Sequence, residues 1–238
     1  IYVARKDSPM ILGVANGESY IGSDVPAILK YTRDVYYIGN QEMARVRKGE
    51  ITFYNLDGDE IEKELKTVEW DAEAAEKAGY EHFMIKEIHE QPKAVSDTLN
   101  SVVKDGVIDL SEVGLSEEEI KEISQIYIVA CGSAYHVGVA AQYVMEDLAR
   151  IPVRVELASE FRYRNPILDP KGLVIIISQS GETADSLAAL RESKKQGVKT
   201  LGIVNVIGSS IAREADNVFY TLAGPEIAVA TTKAYSTQ

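Results

Sequence analysis

Hydrophobic and polar positions follow two different rhythms along the chain. Up to about residue 68 the pattern is short strand-like runs divided by turn residues. Ile11 to Val14 and Ser19 to Ile21 flank Asn16-Gly17, a dipeptide that favours a two-residue hairpin. Val35 to Ile38, Glu42 to Val46 and Ile51 to Tyr54 follow, with turns at Gly39-Asn40 and Asp57-Gly58. Ser23-Asp24-Val25-Pro26 opens a short helix through about Tyr31, its proline near the first turn, where a missing N–H costs nothing. Several strands, one helix and no βαβ crossover predict an antiparallel sheet. The stretch around residues 69 to 80 is small, charged and weakly periodic, as a linker is, and Trp70 within it reads as a hydrophobic anchor. Helical spacing resumes at Phe83; Pro92 either kinks that helix or starts a new one, and Val95, Leu99, Val102 and Val103 mark one face.

From Ile126 the pattern alternates regularly. Strands are predicted over Ile126 to Ala130, Val153 to Leu157, Leu173 to Ile177, Thr200 to Val204 and Val218 to Leu222. Between them run helices over Ala134 to Arg150, Ser159 to Arg164, Thr183 to Gln196 and about Ser209 to Glu214. Val137, Ala140, Ala141, Val144 and Leu148 share a face of the first of these; Ala184, Leu187 and Leu190 point inward on the third. Apolar strands of about five residues between helices predict a parallel sheet covered on both faces, a doubly wound α/β domain. The predicted organisation is therefore an antiparallel N-terminal piece over 1–70, a linker over 71–80 and the α/β domain over 81–238.

Composition narrows the class. The 238 residues are 45% hydrophobic and 26% charged, ordinary for a globular chain of one or two domains. The longest apolar runs fall far short of the roughly 18 residues that span a bilayer, which excludes a membrane-spanning helix. A single cysteine, Cys131, fits a reducing cytoplasm and reads as a small buried thiol. The formal net charge of −12 argues against nucleic-acid binding. It leaves a phosphorylated small molecule open, because a few backbone N–H groups can attract phosphate locally. The first residues read as the middle of a strand and the last carry no terminating signal, so an excerpt of a longer polypeptide is expected.

Two strand-to-helix junctions carry unusual residues. Ala130-Cys131-Gly132-Ser133-Ala134-Tyr135-His136 follows one strand and Ser178-Gln179-Ser180-Gly181-Glu182-Thr183 another. In an open α/β sheet, ligands bind beyond the carboxyl ends of the strands, near where the strand order reverses. The second loop is the stronger signal: hydroxyls, an amide and a glycine at a helix N-terminus form a phosphate cradle that needs no lysine. The alternative is that Ser178 or Ser180 caps the helix, with Glu182 completing a capping box. No G-x-G-x-x-G follows a strand and no G-x-x-x-x-G-K-[ST] occurs. His82, His89 and His136 are not at metal-ligand spacing, so no metal is expected. Arg162 and Arg164 either balance nearby acids or line a dimer contact.

At these two loops the sequence resembles the sugar isomerase (SIS) domain. Over the whole chain it resembles the isomerizing glutamine–fructose-6-phosphate aminotransferases. The resemblance is carried by Lys86-Glu87-Ile88-His89-Glu90-Gln91-Pro92, Ala130-Cys131-Gly132, Glu160 to Arg164, Ser178 to Thr183 and Glu226 to Ala234. In the N-terminal piece, Ala4 to Pro9 and Ile21 to Asp24 look like the end of that family's glutaminase domain. The resemblance implies synthesis of glucosamine 6-phosphate from fructose 6-phosphate and glutamine, without a cofactor, by a cytoplasmic homodimer. It implies that Ser178, Gln179, Ser180 and Thr183 hold the sugar phosphate, with Ser133 and Ala134 contributing and Val229 and Thr231 approaching the sugar. The family's commonest form has Thr-Ser at 133–134, so any contact at Ala134 uses its backbone N–H. The nucleophilic cysteine, the general-base glutamate and the Schiff-base lysine of the family are expected outside these residues, with Lys233 a poor candidate for the last. This chain would then bind the sugar phosphate without turnover. A non-catalytic phosphosugar sensor would use the same loop, but would carry a basic DNA-reading segment where residues 1 to 70 are strand-rich. A receiver domain would need an aspartate where Ala130-Cys131 and Ser178 stand.

Overall fold

A computed structural model describes residues 1–6, 9–68 and 77–238. The chain forms two compact units, Ile1–Gly79 and Tyr80–Gln238. Asp7, Ser8, Trp70 and most of the linker expected over 71–80 lie outside the described residues.

The first unit holds β1 (Tyr2–Ala4), β2 (Ile11–Ala15), β3 (Glu18–Gly22), α1 (Val25–Ile28), β4 (Asp34–Tyr37), β5 (Met43–Arg47), β6 (Glu50–Tyr54), β7 (Glu60–Ile61) and β8 (Lys66–Thr67). The hairpin at Asn16-Gly17 is present, with φ of 51° and 74° at its two turn residues. Asp24, which accepts the Ala27 N–H at 2.9 Å, caps α1. Instead of one antiparallel sheet there are two, ordered β1-β5-β6-β7 and β3-β2-β4-β8. Leu12 of the second sheet packs with Ala44, Val46 and Phe53 of the first, while α1 covers the other side through Val25, Ile28 and Leu29. Two stacked sheets bury what a single sheet of this length would leave wet.

The second unit begins with α2 (Phe83–Val102), which runs through Pro92 as one helix. A hairpin of β9 (Val103–Lys104) and β10 (Val107–Ile108), a 3₁₀ turn over Ser111–Val113 and α3 (Glu117–Glu122) lead to the sheet. There follow β11 (Gln125–Ala130), α4 (Gly132–Ala149), β12 (Val153–Leu157), α5 (Ala158–Phe161), β13 (Gly172–Ser178), α6 (Ala184–Lys195), β14 (Lys199–Val204), α7 (Ser210–Glu214), β15 (Asn217–Tyr220) and α8 (Lys233–Thr237). The five strands are all parallel, in the order β12-β11-β13-β14-β15. Ile126, Ile128, Ala130, Leu173, Ile175 and Ile177 face one side, where Ala134, Val137, Ala141 and Met145 of α4 pack. Tyr127, Val129, Val174 and Ile176 face the other, under Phe161, Leu187, Leu190 and Ile211. At about 1.5–3 kcal/mol for each large apolar side chain removed from water, this two-sided core dominates the stability of the unit.

Three predicted faces are corrected. On α4, Ala140, Val144 and Leu148 are exposed, Leu148 at 78%, and Met145 takes the inward position. Ala184, in the first turn of α6, is exposed, while Ser186 and Ala189 are buried. On α2 the pattern is inverted: Lys86, Glu87, Ala94 and Thr98 are buried while Val95 and Leu99 are exposed. The cause is what α2 meets, a returning stretch of backbone that needs hydrogen-bond acceptors rather than methyl groups.

The amino edge of the sheet is held by charge. Ser116 and Glu119 close a capping box on α3, and Glu119 also pairs with Lys199 at the start of β14. Lys199 and the Ser116 donors together hold the Glu119 carboxyl down at about 2. Burial pushes Asp216 up, but bonds from Lys194 and Thr200 outweigh it and its pKa is lowered. Both folded values lie below their ordinary 4.5 and 3.8, so the stabilisation is present above those values and is lost as pH falls toward 2. Melting temperature measured from pH 6 to pH 2 is expected to fall along an acid limb, and Glu119→Gln to flatten that limb below pH 4.5. Parallel curves would remove Glu119 from the acid response.

Candidate functional site

Strand order places the site. β11 lies between β12 and β13, so the chain winds one way through α4 and the opposite way through α6, and the two helices leave adjacent strands on opposite faces. A crevice opens at such a reversal, at the carboxyl edge. The register pairs Ala130 with Ile177, so the residues that follow them are neighbours. Both sequence-predicted loops therefore come to the same crevice, where Ser186 on α6 donates to the Cys131 sulfur at 3.8 Å.

The first loop is shorter than expected. α4 begins at Gly132, so Ser133 and Ala134 sit in its first turn, Ser133 exposed and Ala134 half-buried against the core. Cys131 is the N-cap and its side chain makes no capping bond. His136 is exposed, its ring edge-on to Tyr135.

The second loop is tightly wound. Ser178, the last residue of β13, is buried; its hydroxyl accepts the Gly181 N–H at 3.1 Å and lies 3.0 Å from the Thr183 hydroxyl. The Ser180 hydroxyl accepts the Glu182 N–H at 3.2 Å. Gln179 and Ser180 are half-buried at the turn, and the Gln179 carbonyl accepts the Asn205 N–H at 3.1 Å. Thr183 is the N-cap of α6, yet its side chain makes no capping bond to the helix. The serines thus fold the loop back on itself, and the capping box considered from sequence does not form. Glu182 reaches Ser210 instead. What the turn presents is hydroxyls and backbone N–H groups at the positive end of a three-turn helix, an environment suited to an anion.

Arg162 donates to Asp185 in the first turn of α6 at 2.7 Å, and Arg164 grips Glu156 with two bonds. Both arginines balance acids. Among the described residues no group of three or more His, Cys, Asp or Glu could hold a metal ion, and no helix is long and apolar enough to cross a membrane.

Val229 and Thr231 lie in the segment that leaves β15 and returns to α2. Val229 is fully exposed, and the Thr231 hydroxyl donates to Glu226 at 2.8 Å. The segment starts at the same carboxyl edge, because the Asn205 side chain accepts the Ala223 N–H and donates to the Gly224 carbonyl. It is then held to α2: Thr98 accepts the Leu222 N–H, Glu87 accepts those of Ile227 and Ala228, and Glu90 pairs with Lys233 at 2.7 Å. Asn205 and Ser210 were not singled out from sequence, and Glu87 only as part of the Lys86–Pro92 stretch; a polar residue ending an apolar strand, as in Val204-Asn205, was the available signal for the first.

The family model of the SIS domain matches residues 119–238, just over half of the chain and all of the parallel sheet. The chain belongs to the SIS domain family. Among curated proteins, this SIS-domain chain is 57% identical over its whole length to a glutamine–fructose-6-phosphate aminotransferase [isomerizing] of Caldanaerobacter subterraneus subsp. tengcongensis, and 56% identical to that of Clostridium acetobutylicum. In each case it spans 39% of the relative's length. The solved C-terminal domain of glucosamine-fructose-6-phosphate aminotransferase from Francisella tularensis is 48% identical, with a TM-score of 0.65 over 68% of this chain and 45% of that one. Tagatose-6-phosphate ketose/aldose isomerase from Escherichia coli, 18% identical with a TM-score of 0.57, shares the fold.

Proposed function

We propose that this chain supplies the sugar-phosphate-binding half-site of an isomerizing amidotransferase that makes glucosamine 6-phosphate from fructose 6-phosphate and glutamine. The observation that carries the reading is the Ser178–Thr183 turn, placed at the sheet's order reversal with hydroxyls and amides and no lysine of its own. Ser178, Gln179, Ser180 and Thr183 hold the phosphate, and the first turn of α4 adds Ser133 and the backbone of Ala134. Val229 and Thr231 approach the sugar from the returning segment. The antiparallel unit, residues 1–70, is the C-terminal part of a glutaminase domain that handles glutamine; residues 81–238 are the first SIS domain, joined through a linker at 71–80. The working protein is a cytoplasmic homodimer.

Chemistry that needs a free amine is assigned outside these residues. Lys233 is 3% exposed and its amine is tied to Glu90, so it is not presented to a substrate carbonyl. The chain binds without turning over.

Titration with fructose 6-phosphate, followed by thermal shift, tests the reading. The wild-type chain is expected to be stabilised, with no glucosamine 6-phosphate formed. Ser180→Ala, which removes one neutral hydrogen bond worth about 0.5–1.5 kcal/mol, is expected to weaken binding by about twofold to tenfold. Equal shifts in the two proteins would take the second loop out of the binding site.

A further inference from the structure

We infer that Glu182 is a positioning residue for the phosphate turn and acts through Ser210: its carboxylate is moored to the start of α7, which fixes the turn and holds the negative charge off the anion. The inference rests on the hexose-phosphate reading given above. A glutamate inside a phosphate cradle is at first sight misplaced, since like charges repel most strongly where water is partly excluded.

The geometry resolves the conflict. One oxygen of Glu182 accepts the Ser210 N–H at 2.8 Å and the other accepts the Ser210 hydroxyl at 2.7 Å. Ser210 is 3% exposed and offers two donors; only a carboxylate presents two acceptors to them, because an amide would turn an N–H toward the hydroxyl. Arg213 donates to that hydroxyl at 3.1 Å, which occupies a lone pair and leaves the proton for Glu182. The neighbouring residues of the same stretch brace the turn as well. The Ile211 N–H donates to the Gly181 carbonyl at 3.0 Å, and Ser209 stands directly against the Gly181 α-carbon. Residues 209–211 therefore grip 181 and 182 together. Glu182 is itself a residue of the turn, and these bonds direct its carboxylate toward α7.

Calorimetric titration of the full chain with fructose 6-phosphate, at low and at moderate salt, tests this. Ser210→Ala removes the hydroxyl donor and keeps the backbone one, and is expected to bind about tenfold more weakly, with the larger loss at low salt, where the loosened charge is least screened. Adding Glu182→Gln to Ser210→Ala removes that charge and is expected to recover about threefold or more of the affinity. Glu182→Asp keeps the charge, is too short for both Ser210 donors, and is expected to bind about tenfold more weakly than wild type even if Ser210→Ala does not fold. A double variant no better than Ser210→Ala would show a merely structural role and overturn the inference, as would wild-type affinity in Glu182→Asp. A wild-type chain that binds no fructose 6-phosphate overturns the reading and the inference together; a binding wild type with unaffected variants overturns the inference alone.

Discussion

Gly181→Ala is expected to weaken fructose 6-phosphate binding by on the order of 100-fold, because the added methyl group has nowhere to go. Gly181 adopts a φ of +65°, and a β-carbon built on it would stand 2.0 Å from the Ser209 hydroxyl oxygen and 2.5 Å from the Ser209 β-carbon. The backbone conformation alone costs an L-residue about 1–2 kcal/mol. The clash is worse, since Ser209 is 2% exposed and its backbone is tied at both ends, to Val206 and to Arg213. The turn must therefore shift, by about an ångström, which is enough to uncouple donors from a phosphate. Ser209→Gly removes both clashing atoms without touching the turn. In the Gly181→Ala background it is expected to restore affinity to within about tenfold of wild type, leaving only the conformational cost. Isothermal titration of the single and double variants, with melting curves to confirm folding, measures both effects. Undiminished binding by Gly181→Ala would show that the shape of the turn is irrelevant to the ligand.

The same residue shows how far the sequence could be read. A glycine in a polar turn after an apolar strand announces a tight approach of backbone to something, and the strand rhythm from Ile126 onward announces a two-sided parallel sheet. Those signals are local, a period of two or 3.6 and a run of turn residues, and the five strands stand within a residue or two of their expected places. What the turn is braced against is not local. Ser209 and Ser210 lie 28 residues from Gly181 and Glu182, and the short helix they begin gives no sign that it braces the turn after β13. The stacking of two sheets in the first unit was hidden for a related reason: period-two strands reveal one buried face each but not which strands share a sheet. The faces of α2 and α4 misled because apolar spacing identifies a stripe, not its partner. On α4 the stripe is wider than the core it covers, and Leu148 is left in the open. On α2 the neighbour is backbone, and the residues that pack on it are acceptors and a buried lysine.

Glu87→Ala is expected to cost about 2–6 kcal/mol of stability in the second unit, more than any single apolar truncation on the exposed face of α2. Glu87 is 1% exposed, and its carboxylate accepts the Ile227 N–H at 2.6 Å and the Ala228 N–H at 3.1 Å. Alanine leaves two backbone donors without acceptors, at roughly 1–3 kcal/mol each. Thr98, Glu90 and Gln91 hold the same returning segment at other points, so it is expected to loosen around residues 226–230 without leaving α2 altogether. Both amides reach the same oxygen of Glu87, so Glu87→Gln keeps an acceptor for each, loses only the charge, and is expected to cost less than half as much. Urea denaturation gives the global cost, and hydrogen exchange at the amides of 227 and 228 gives the local one, expected to quicken in both variants and most in the alanine. Under the proposed function, loosening there is also expected to weaken sugar-phosphate binding, because Val229 and Thr231 ride on the segment that Glu87 secures. A Glu87→Ala chain that is as stable as wild type, with both amides still protected, would mean that the internal bonds from Glu226 to Thr231, Thr232 and Ala234 set the segment's shape unaided.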